Sequence, residues 1–216
     1  TTRWMLVINN INFINISLED HNDFNRLKAS GKLPFNQLPL LEINNLKLSQ
    51  SNAMISFLAR RGGLYGKSDA DNVKCDMLVG AVSDFNTPAM QFAFKADKNE
   101  ASRDLSASLK KFGKHFEFIL TQNGGDFLVG RKLSVADIIM GESLTSFIEF
   151  SPNCLKNYPH LKKLQEKIVS EKSIKEYLNS TERWKLPDEQ YVIDIARVLR
   201  RSLPSHMPSP NRFIEG

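Results

Sequence analysis

The segment Leu48–Met54, which reads LSQSNAM, places two polar residues between an alternating apolar run and a helical pattern. The apolar spacing that follows predicts a helix from about Ser51 to Arg61. A helix N-terminus exposes unpaired N–H groups and positive dipole, and a serine hydroxyl adds one donor, so Gln50 and Ser51 are candidate ligands for an anion. A plain N-cap by Ser51 explains the same residues equally well.

A second candidate is the dipeptide Leu38-Pro39, which begins the apolar run LPLLEINN at 38–45. Proline cannot donate to a sheet ladder, so the simpler interpretation is a strand that starts at Pro39. The alternative is a cis bond that turns the backbone N–H and C=O of Leu38 outward. Those groups would then pair with the backbone of an extended peptide.

Ser134 and Asp137, in KLSVADIIM, have the spacing of an N-capping box. In this arrangement the hydroxyl of Ser134 accepts from the third backbone N–H, and the Asp137 carboxylate accepts from the N–H of the cap residue. The pair therefore predicts a helix start, and we interpret it as structural rather than catalytic.

The other residues that could do chemistry show no supporting pattern. The four histidines are scattered, with no triad or metal-ligand spacing around them: His21, His115, His160 and His206. Cys75 and Cys154 are the only cysteines, which argues against a disulfide framework or a zinc site and favours the reducing cytoplasm.

Composition narrows the class of protein. The chain has 216 residues with a net charge of +5, and its basic residues are dispersed rather than clustered. A nucleic-acid binder needs a clustered basic face, so we expect no nucleic-acid partner. No apolar run reaches eighteen residues, so we expect no membrane span.

The chain divides into three parts on its residue patterns. Residues 1–64 are α/β: a helix at 2–9, a short strand at 11–18, a loop or helix at 20–31, and strands at 38–45 and 46–49 joined by Asn44-Asn45 precede the helix that ends at Gly62. After a linker at 64–68, residues 69–186 are helical, with helices predicted at 69–94, 102–125, 133–150, 158–170 and 173–179. Residues 187–216 form a tail with one amphipathic helix at 188–202 and a proline-rich extended segment at 203–213.

Together these segments resemble the cytosolic glutathione transferases, and most closely the sigma class. The resemblance rests on residues 33–67, on DMLVGAVSDF at 76–85 and on DFLVGRKLSVADIIM at 126–140, followed by NYPHLKKLQEKI. It implies a two-domain α+β protein with a thioredoxin-like N-terminal domain and an all-helical C-terminal domain. It also implies a homodimer that uses glutathione as co-substrate, needs no metal, and conjugates glutathione to small hydrophobic electrophiles.

The resemblance assigns glutathione-binding roles to eight residues: Phe24, Lys28, Gln37, Leu38, Pro39, Gln50, Ser51 and Asp84. Leu38, before a cis-proline, would pair with the cysteinyl backbone of glutathione, and Gln50 and Ser51 would hold the γ-glutamyl end. Gln37 stands where the family often has Lys, Phe24 where it usually has Trp, and Lys28 would bind the glycyl carboxylate. Asp84 would reach the γ-glutamyl amine across the dimer interface.

Two departures from the family pattern limit what the resemblance implies. The tyrosine that stabilises the thiolate belongs to a strand that would precede Thr1, so we expect an N-terminally truncated chain without a catalytic residue. None of Tyr65, Tyr158, Tyr177 and Tyr191 matches that position. Residues 187–216 extend beyond the usual end of the family. The alternative function is a catalytically impaired glutathione-binding or structural relative, like the lens crystallins derived from this family.

Overall fold

The computed structural model describes residues 1–184 and 186–207, in a small α/β region followed by a helical one. The elements of the first region are α1 (Thr2–Ile8), α2 (His21–Ala29), β1 (Leu41–Ile43), β2 (Leu46–Leu48) and α3 (Ser51–Arg61). The helix predicted at 2–9 forms one residue shorter, the segment at 20–31, predicted as a loop or a helix, forms a helix, and α3 has the predicted limits. The apolar stripe of α3 buries Met54, Ile55 and Leu58.

The sheet of this region is a single antiparallel hairpin, β1–β2. Leu41 lies opposite Leu48, and Ile43 lies opposite Leu46. Asn44 and Asn45 make the turn with φ angles of 45° and 65°, which confirms the predicted tight turn. The strand predicted at 38–45 is shorter than expected, because the backbone joins the ladder only from Leu41 onward.

The strand predicted at 11–18 does not form in the described part of the chain. Its residues run in irregular backbone with some of the predicted alternation of burial, but they pair with no neighbouring strand. Ile14 and Ile16, on the outward side, are 88% and 82% exposed. Alternation alone was therefore a wrong predictor of a strand here, because a strand also needs a neighbour that accepts and donates its backbone hydrogen bonds.

The second region contains five helices: α4 (Asp69–Gln91), α5 (Lys98–Gln122), α6 (Val135–Phe150), α7 (Pro159–Ser170) and α8 (Lys172–Leu178), with a 3-10 turn at Phe92–Phe94. Helix α6 is central and buries ten of its residues. The Phe85 and Phe147 rings stack at 4.3 Å between centroids, which joins α4 to α6. Large side chains buried on one continuous core make this region the main source of hydrophobic stability.

The N-terminus of α6 confirms the predicted capping box. One carboxylate oxygen of Asp137 accepts the Ser134 N–H at 2.8 Å and the Ser134 hydroxyl at 2.6 Å. The other accepts the N–H of Leu128 at 2.6 Å, a contact that the sequence pattern did not predict. Asp137 is fully buried, so this carboxyl fastens the loop before α6 as well as the helix itself.

The N-terminus of α7 is filled by a residue from another helix. Tyr158 is the N-cap position but gives no side-chain hydrogen bond. Instead, the Glu117 carboxylate on α5 accepts the N–H of His160 at 2.7 Å and the N–H of Leu161 at 3.0 Å. A carboxylate satisfies two orphan donors and complements the helix dipole, so α5 and α7 are joined at this point.

The predicted C-terminal helix forms as α9 (Glu189–Leu199), with Val192 and Val198 buried as expected. Tyr191 of α9 meets the Phe94 ring edge-on, and Val192 packs with Ala93 and Met207. Residues 203–207 adopt neither helix nor strand, and 208–213 of the predicted extended segment lie outside the described residues. None of the helices in the described part of the chain combines the length and apolarity needed to cross a membrane.

Candidate functional site

The junction before α3 places Gln50, not Ser51, at the N-cap position. Gln50 has φ 69° and ψ 112°, a backbone conformation that residues other than glycine rarely adopt. The prediction that Ser51 caps the helix is therefore wrong: Ser51 is the first helical residue, and no side chain caps α3. The strained turn rotates Gln50 out of the strand direction and starts the helix at once, which is the kind of local strain that gathers at functional sites.

The N-terminus of α3 consequently presents free donors. The first amide to donate along the helix is that of Met54, to the Gln50 carbonyl at 3.1 Å. The N–H groups of Ser51, Asn52 and Ala53 have no acceptor in the described chain, and the Ser51 hydroxyl is exposed. Three amides at the positive end of a helix dipole, with one hydroxyl beside them, form a cradle that suits a carboxylate.

The Leu38–Pro39 peptide bond is cis, as the second interpretation of this dipeptide predicted. The N–H and C=O of Leu38 make no hydrogen bond to the rest of the described residues. Beside them, the Gln50 side-chain amide donates to the Gln37 side-chain oxygen at 3.2 Å, so the two predicted segments meet. The structure thus brings together Gln37, Leu38, Pro39, Gln50 and Ser51.

Phe24 and Lys28 lie together on α2, with the Lys28 ammonium 4.7 Å from the centre of the Phe24 ring. Phe24 is only 8% exposed, because it is buried against Leu33 and Val198. Its ring therefore packs in a hydrophobic cluster rather than facing an open site. Lys28 is half-buried and pairs with no carboxylate among the described residues, so its charge remains available to a ligand.

Asp84 lies apart from the other candidates. It is exposed on α4 and forms no hydrogen bond or ion pair within residues 1–184 and 186–207. Val73 and Met77 precede it on the same side of the helix and are 66% and 61% exposed. Asp84 thus belongs to an outward helix face and not to the group around Gln50.

One residue near the site escaped sequence reasoning. Ser49, just before Gln50, is 9% exposed, and its hydroxyl has no hydrogen-bond partner among the described residues. A buried hydroxyl without a partner costs free energy. The available signal was its place between the last strand residue and the strained Gln50.

The tyrosines of the chain all have structural settings elsewhere. The Tyr65 hydroxyl donates to Asp76 at 2.6 Å, and burial together with this carboxylate raises the pKa of Tyr65. The Tyr177 hydroxyl accepts the N–H of Trp184, and burial raises the pKa of Tyr191. The Tyr158 ring packs against Gly113, where an added Cβ would lie 2.9 Å from it. A tyrosine that stabilises a thiolate must bring its hydroxyl within hydrogen-bond reach of the sulfur, and the contacts of these four tyrosines lie outside the group around Gln50.

The described residues contain no cluster of three or more His, Cys, Asp or Glu side chains that could hold a metal ion. The group around Gln50 instead offers peptide donors and acceptors, two amide side chains and a hydroxyl. Such groups bind a molecule that carries carboxylates and a peptide backbone.

Comparison with known proteins identifies the family. Residues 83–181 match the family description "Glutathione S-transferase, C-terminal domain". Glutathione S-transferase 3 from Gallus gallus is 32% identical over 92% of this chain and 88% of its own length. Glutathione S-transferase alpha-1 from Rattus norvegicus is 31% identical over 90% of this chain and 89% of its own length. The chain belongs to the glutathione S-transferase family.

Solved structures agree with this assignment. A glutathione S-transferase from Ascaris lumbricoides is 28% identical, has a TM-score of 0.72, and is matched over 85% of this chain and 91% of that chain. A monomeric glutathione S-transferase from Necator americanus is 26% identical, has a TM-score of 0.74, and is matched over 83% and 90%. The fold is a thioredoxin-like N-terminal domain joined to a helical C-terminal domain. In the described residues, the sheet of the N-terminal domain is the two-stranded hairpin β1–β2.

The similarity also reaches the C-terminal segment. Residues 1–186 are 186 of 216 positions, about 86% of the chain, whereas the Gallus gallus protein matches 92%. The aligned region therefore extends into 187–216.

Proposed function

We propose that this chain binds glutathione at the N-terminus of α3 and serves the transfer of the glutathione thiolate to small hydrophobic electrophiles, a detoxification reaction. The observation that carries the proposal is one continuous set of unpaired groups. The amides of Ser51, Asn52 and Ala53 and the Leu38 peptide groups lie on either side of the Gln37–Gln50 hydrogen bond. They complement a tripeptide with a carboxylate at its γ-glutamyl end and a backbone to pair.

In this proposal each group of glutathione has a named complement. The γ-glutamyl carboxylate accepts from the Ser51 hydroxyl and the first amides of α3, and the cysteinyl backbone pairs with Leu38. Lys28 binds the glycyl carboxylate, and Asp84 of a second copy receives the γ-glutamyl amine. These roles are assigned by resemblance and supported by the free charges on Lys28 and Asp84.

The binding test compares the wild type with the double variant Gln50→Ala/Ser51→Ala by titration calorimetry with glutathione. Loss of charge-assisted hydrogen bonds predicts a fall in affinity of roughly 10- to 100-fold. Asn52→Ala is the matched control: its side chain is exposed on the same helix turn, and the substitution keeps the backbone amide. An unchanged affinity in the double variant rejects the assigned site.

The catalytic test measures conjugation of glutathione to an aromatic chloride. An unactivated thiol has a pKa near 8.5, so little thiolate exists at neutral pH. Because the settings of Tyr65, Tyr158, Tyr177 and Tyr191 are structural, we expect turnover near background from residues 1–216. A form to which a tyrosine-bearing strand is added before Thr1 should restore turnover. Turnover well above background from this chain would show that another residue activates the thiol.

The second candidate is a glutathione-binding or structural protein without catalysis. Both candidates predict glutathione binding. Conjugation activity of the form with the added strand distinguishes them. Conjugation by that form supports the transferase. Binding without conjugation there supports the structural role.

The class within the family is decided by activity. The motifs at 33–67 and 126–140 resemble the sigma class, whereas one of the relatives above is named alpha-1. Sigma-class proteins isomerise prostaglandin H to prostaglandin D, so that conversion by a form with the upstream strand supports the sigma assignment. Conjugation without isomerisation argues against it.

The proposed partner is a second copy of the chain, across the outward face of α4. Val73, Met77 and Asp84 share this face, and two exposed apolar side chains at i, i+4 spacing suit a packed helix interface. Light scattering should give the mass of a dimer, and Val73→Glu/Met77→Glu should give a monomer. A monomeric wild type, like the Necator americanus relative, would remove Asp84 from the proposed site.

The proposed domain limits are 1–64 for the glutathione-binding domain and 69–186 for the helical domain, with 187–216 as the C-terminal segment. The proposed location is the cytoplasm, which accords with the free thiols of Cys75 and Cys154.

A further inference from the structure

The support of α2 comes chiefly from α9, which follows it by about 170 residues in the sequence. Among the helices, α9 is the principal neighbour of α2. Phe24 is the only residue of α2 that is buried. It packs with Leu33 and Val198, and around these lie Leu18, Leu27, Leu40 and Leu199; we call these seven residues the α2–α9 cluster.

A hydrogen bond fixes the end of the same contact. The His21 Nδ1 atom, at the first position of α2, lies 2.9 Å from the Val198 carbonyl oxygen, so an Nδ1–H donates to it. That carbonyl is in the last turn of α9, where helix carbonyls lack partners within the helix. The centroids of the His21 and Phe24 rings lie 6.2 Å apart. The C-terminal end of α9 therefore contacts two neighbouring side chains of α2.

The other side of α2 is less supported. Asp23, Arg26, Leu27 and Ser30 line an open cavity of about 540 Å³, shared with residues 16–19 of the unpaired segment. On a helix, Asp23, Arg26 and Ser30 lie on a face turned away from His21 and Phe24, whereas Leu27 lies between the two faces and also belongs to the α2–α9 cluster. The packed side of α2 is therefore the side that contacts α9.

α9 is in turn fixed to the helical region. Val192 packs with Ala93 and Met207, and Tyr191 contacts Phe94, all beyond the C-terminal end of α4. α9 thus connects the helical region to α2 through packing contacts at both of its ends.

From these contacts we infer that α9 positions α2 for the glycyl end of glutathione, with Val198 and His21 as the positioning residues. This inference rests on the proposed function, because Lys28 is the residue of α2 that would bind the glycyl carboxylate. The physical connection is direct: Val198 packs on Phe24, and the Phe24 ring lies 4.7 Å from the Lys28 ammonium. Neither positioning residue touches the ligand.

The test measures the affinity of Val198→Ala for glutathione and for γ-glutamylcysteine, which lacks glycine. The variant should bind glutathione roughly 3- to 10-fold more weakly and γ-glutamylcysteine as tightly as the wild type does, because only the glycyl end uses α2. Ile195→Ala is the matched control, a half-buried aliphatic residue on α9 outside the cluster, and should bind both peptides normally. Equal weakening for both peptides, or no weakening, overturns the inference.

Histidine variants separate the hydrogen bond from general loss of packing. His21→Ala should show the same glycine-dependent loss as Val198→Ala. His21→Asn should restore much of it, because its amide nitrogen can donate from nearly the position of Nδ1. A loss in His21→Asn equal to that in His21→Ala removes His21 from the inference.

Amide hydrogen exchange makes the inference testable apart from glutathione binding. In Val198→Ala the amides of α2 should exchange at least several-fold faster, while those of α6 keep wild-type rates. Unchanged exchange in α2 overturns the positioning role of α9, whatever the affinities for the two peptides are. A wild type that binds neither peptide rejects the proposed function, and exchange in α2 then still decides the role of α9.

Discussion

The N-termini of α3 and α7 show opposite treatments of the same backbone groups. At α7, the Glu117 carboxylate from another helix accepts two amides, those of His160 and Leu161. At α3, no carboxylate of the described chain approaches, and the amides of residues 51–53 remain free. At these two positions, the helical region fills a helix N-terminus with a side chain of its own, whereas the α/β region leaves one open.

The difference indicates how a binding site is kept within a stable protein. A filled helix end contributes to folding, while an open one gives up that contribution and keeps its donors for a ligand. Two further features immediately precede α3: the strained backbone of Gln50 and the Ser49 hydroxyl, which has no partner among the described residues. A ligand carboxylate at α3 would therefore do what Glu117 does at α7.

The largest effect is expected at the filled N-terminus of α6. Asp137→Ala would leave the buried N–H groups of Leu128 and Ser134 without an acceptor. At 1–3 kcal/mol for each unsatisfied group, the free energy of unfolding should fall by about 3–5 kcal/mol. Urea unfolding measures it. Asp126→Ala, an exposed residue of the same loop, is the control and should stay near the wild type.

A smaller effect is the pH dependence of the same carboxyl. Burial raises the pKa of Asp137 to about 6 from 3.8, and the hydrogen bonds from Leu128 and Ser134 oppose this rise. Because the folded-state pKa is the higher one, the stability that this carboxyl contributes is fully present below pH 3.8 and is lost as the pH rises through about 6. The full change is about 3 kcal/mol at 1.36 kcal/mol for each pKa unit.

Asp137→Asn provides the comparison, since an amide does not titrate. The wild-type advantage in unfolding free energy over this variant should shrink between pH 4.5 and pH 7.5. A constant difference across that range would mean that the three donors keep the carboxyl ionised throughout.

Much of this arrangement could be predicted from sequence, because it depends on local spacing. Ser134 and Asp137 are three residues apart, Leu38-Pro39 is a dipeptide, and the positive-φ turn at Asn44-Asn45 uses residues that favour it. The start of α3 at Ser51 was predicted, but its N-cap was not, because glutamine rarely adopts the backbone conformation that Gln50 has. Spacing singled out the segments of the candidate site, and the resemblance to the family assigned them to glutathione.

The parts that could not be predicted join distant positions. Glu117 lies 43 residues from the amide of His160 that it accepts, and His21 lies 177 residues from Val198. No periodic pattern marks such pairs, so neither the contact of Glu117 with the N-terminus of α7 nor the contact of α9 with α2 could be predicted from the sequence. The prediction of a strand at 11–18 was wrong for a related reason, because alternating apolar residues do not show whether a neighbouring strand is available for pairing.

At α7 the expected effect is about 1–2 kcal/mol. Glu117→Ala would open this helix end, so that it resembles α3, with the amides of His160 and Leu161 free. Glu117→Gln should lose less, because its amide oxygen still accepts one N–H. Glu166→Ala, an exposed residue of α7, is the control and should change thermal unfolding little. Equal losses in the alanine and glutamine variants would mean that the negative charge provides the stabilisation.

The smallest change in stability is expected where the open end is filled deliberately. Ser51→Asp places a carboxylate at the first position of α3, where it complements the helix dipole by about 0.3–1 kcal/mol. The same charge repels the γ-glutamyl carboxylate, so glutathione affinity should fall further than in Ser51→Ala, which only removes the hydroxyl. Calorimetry and urea unfolding on both variants test this trade. A Ser51→Asp variant that gains stability and still binds glutathione normally would show that the donors of α3 are not where the ligand carboxylate lies.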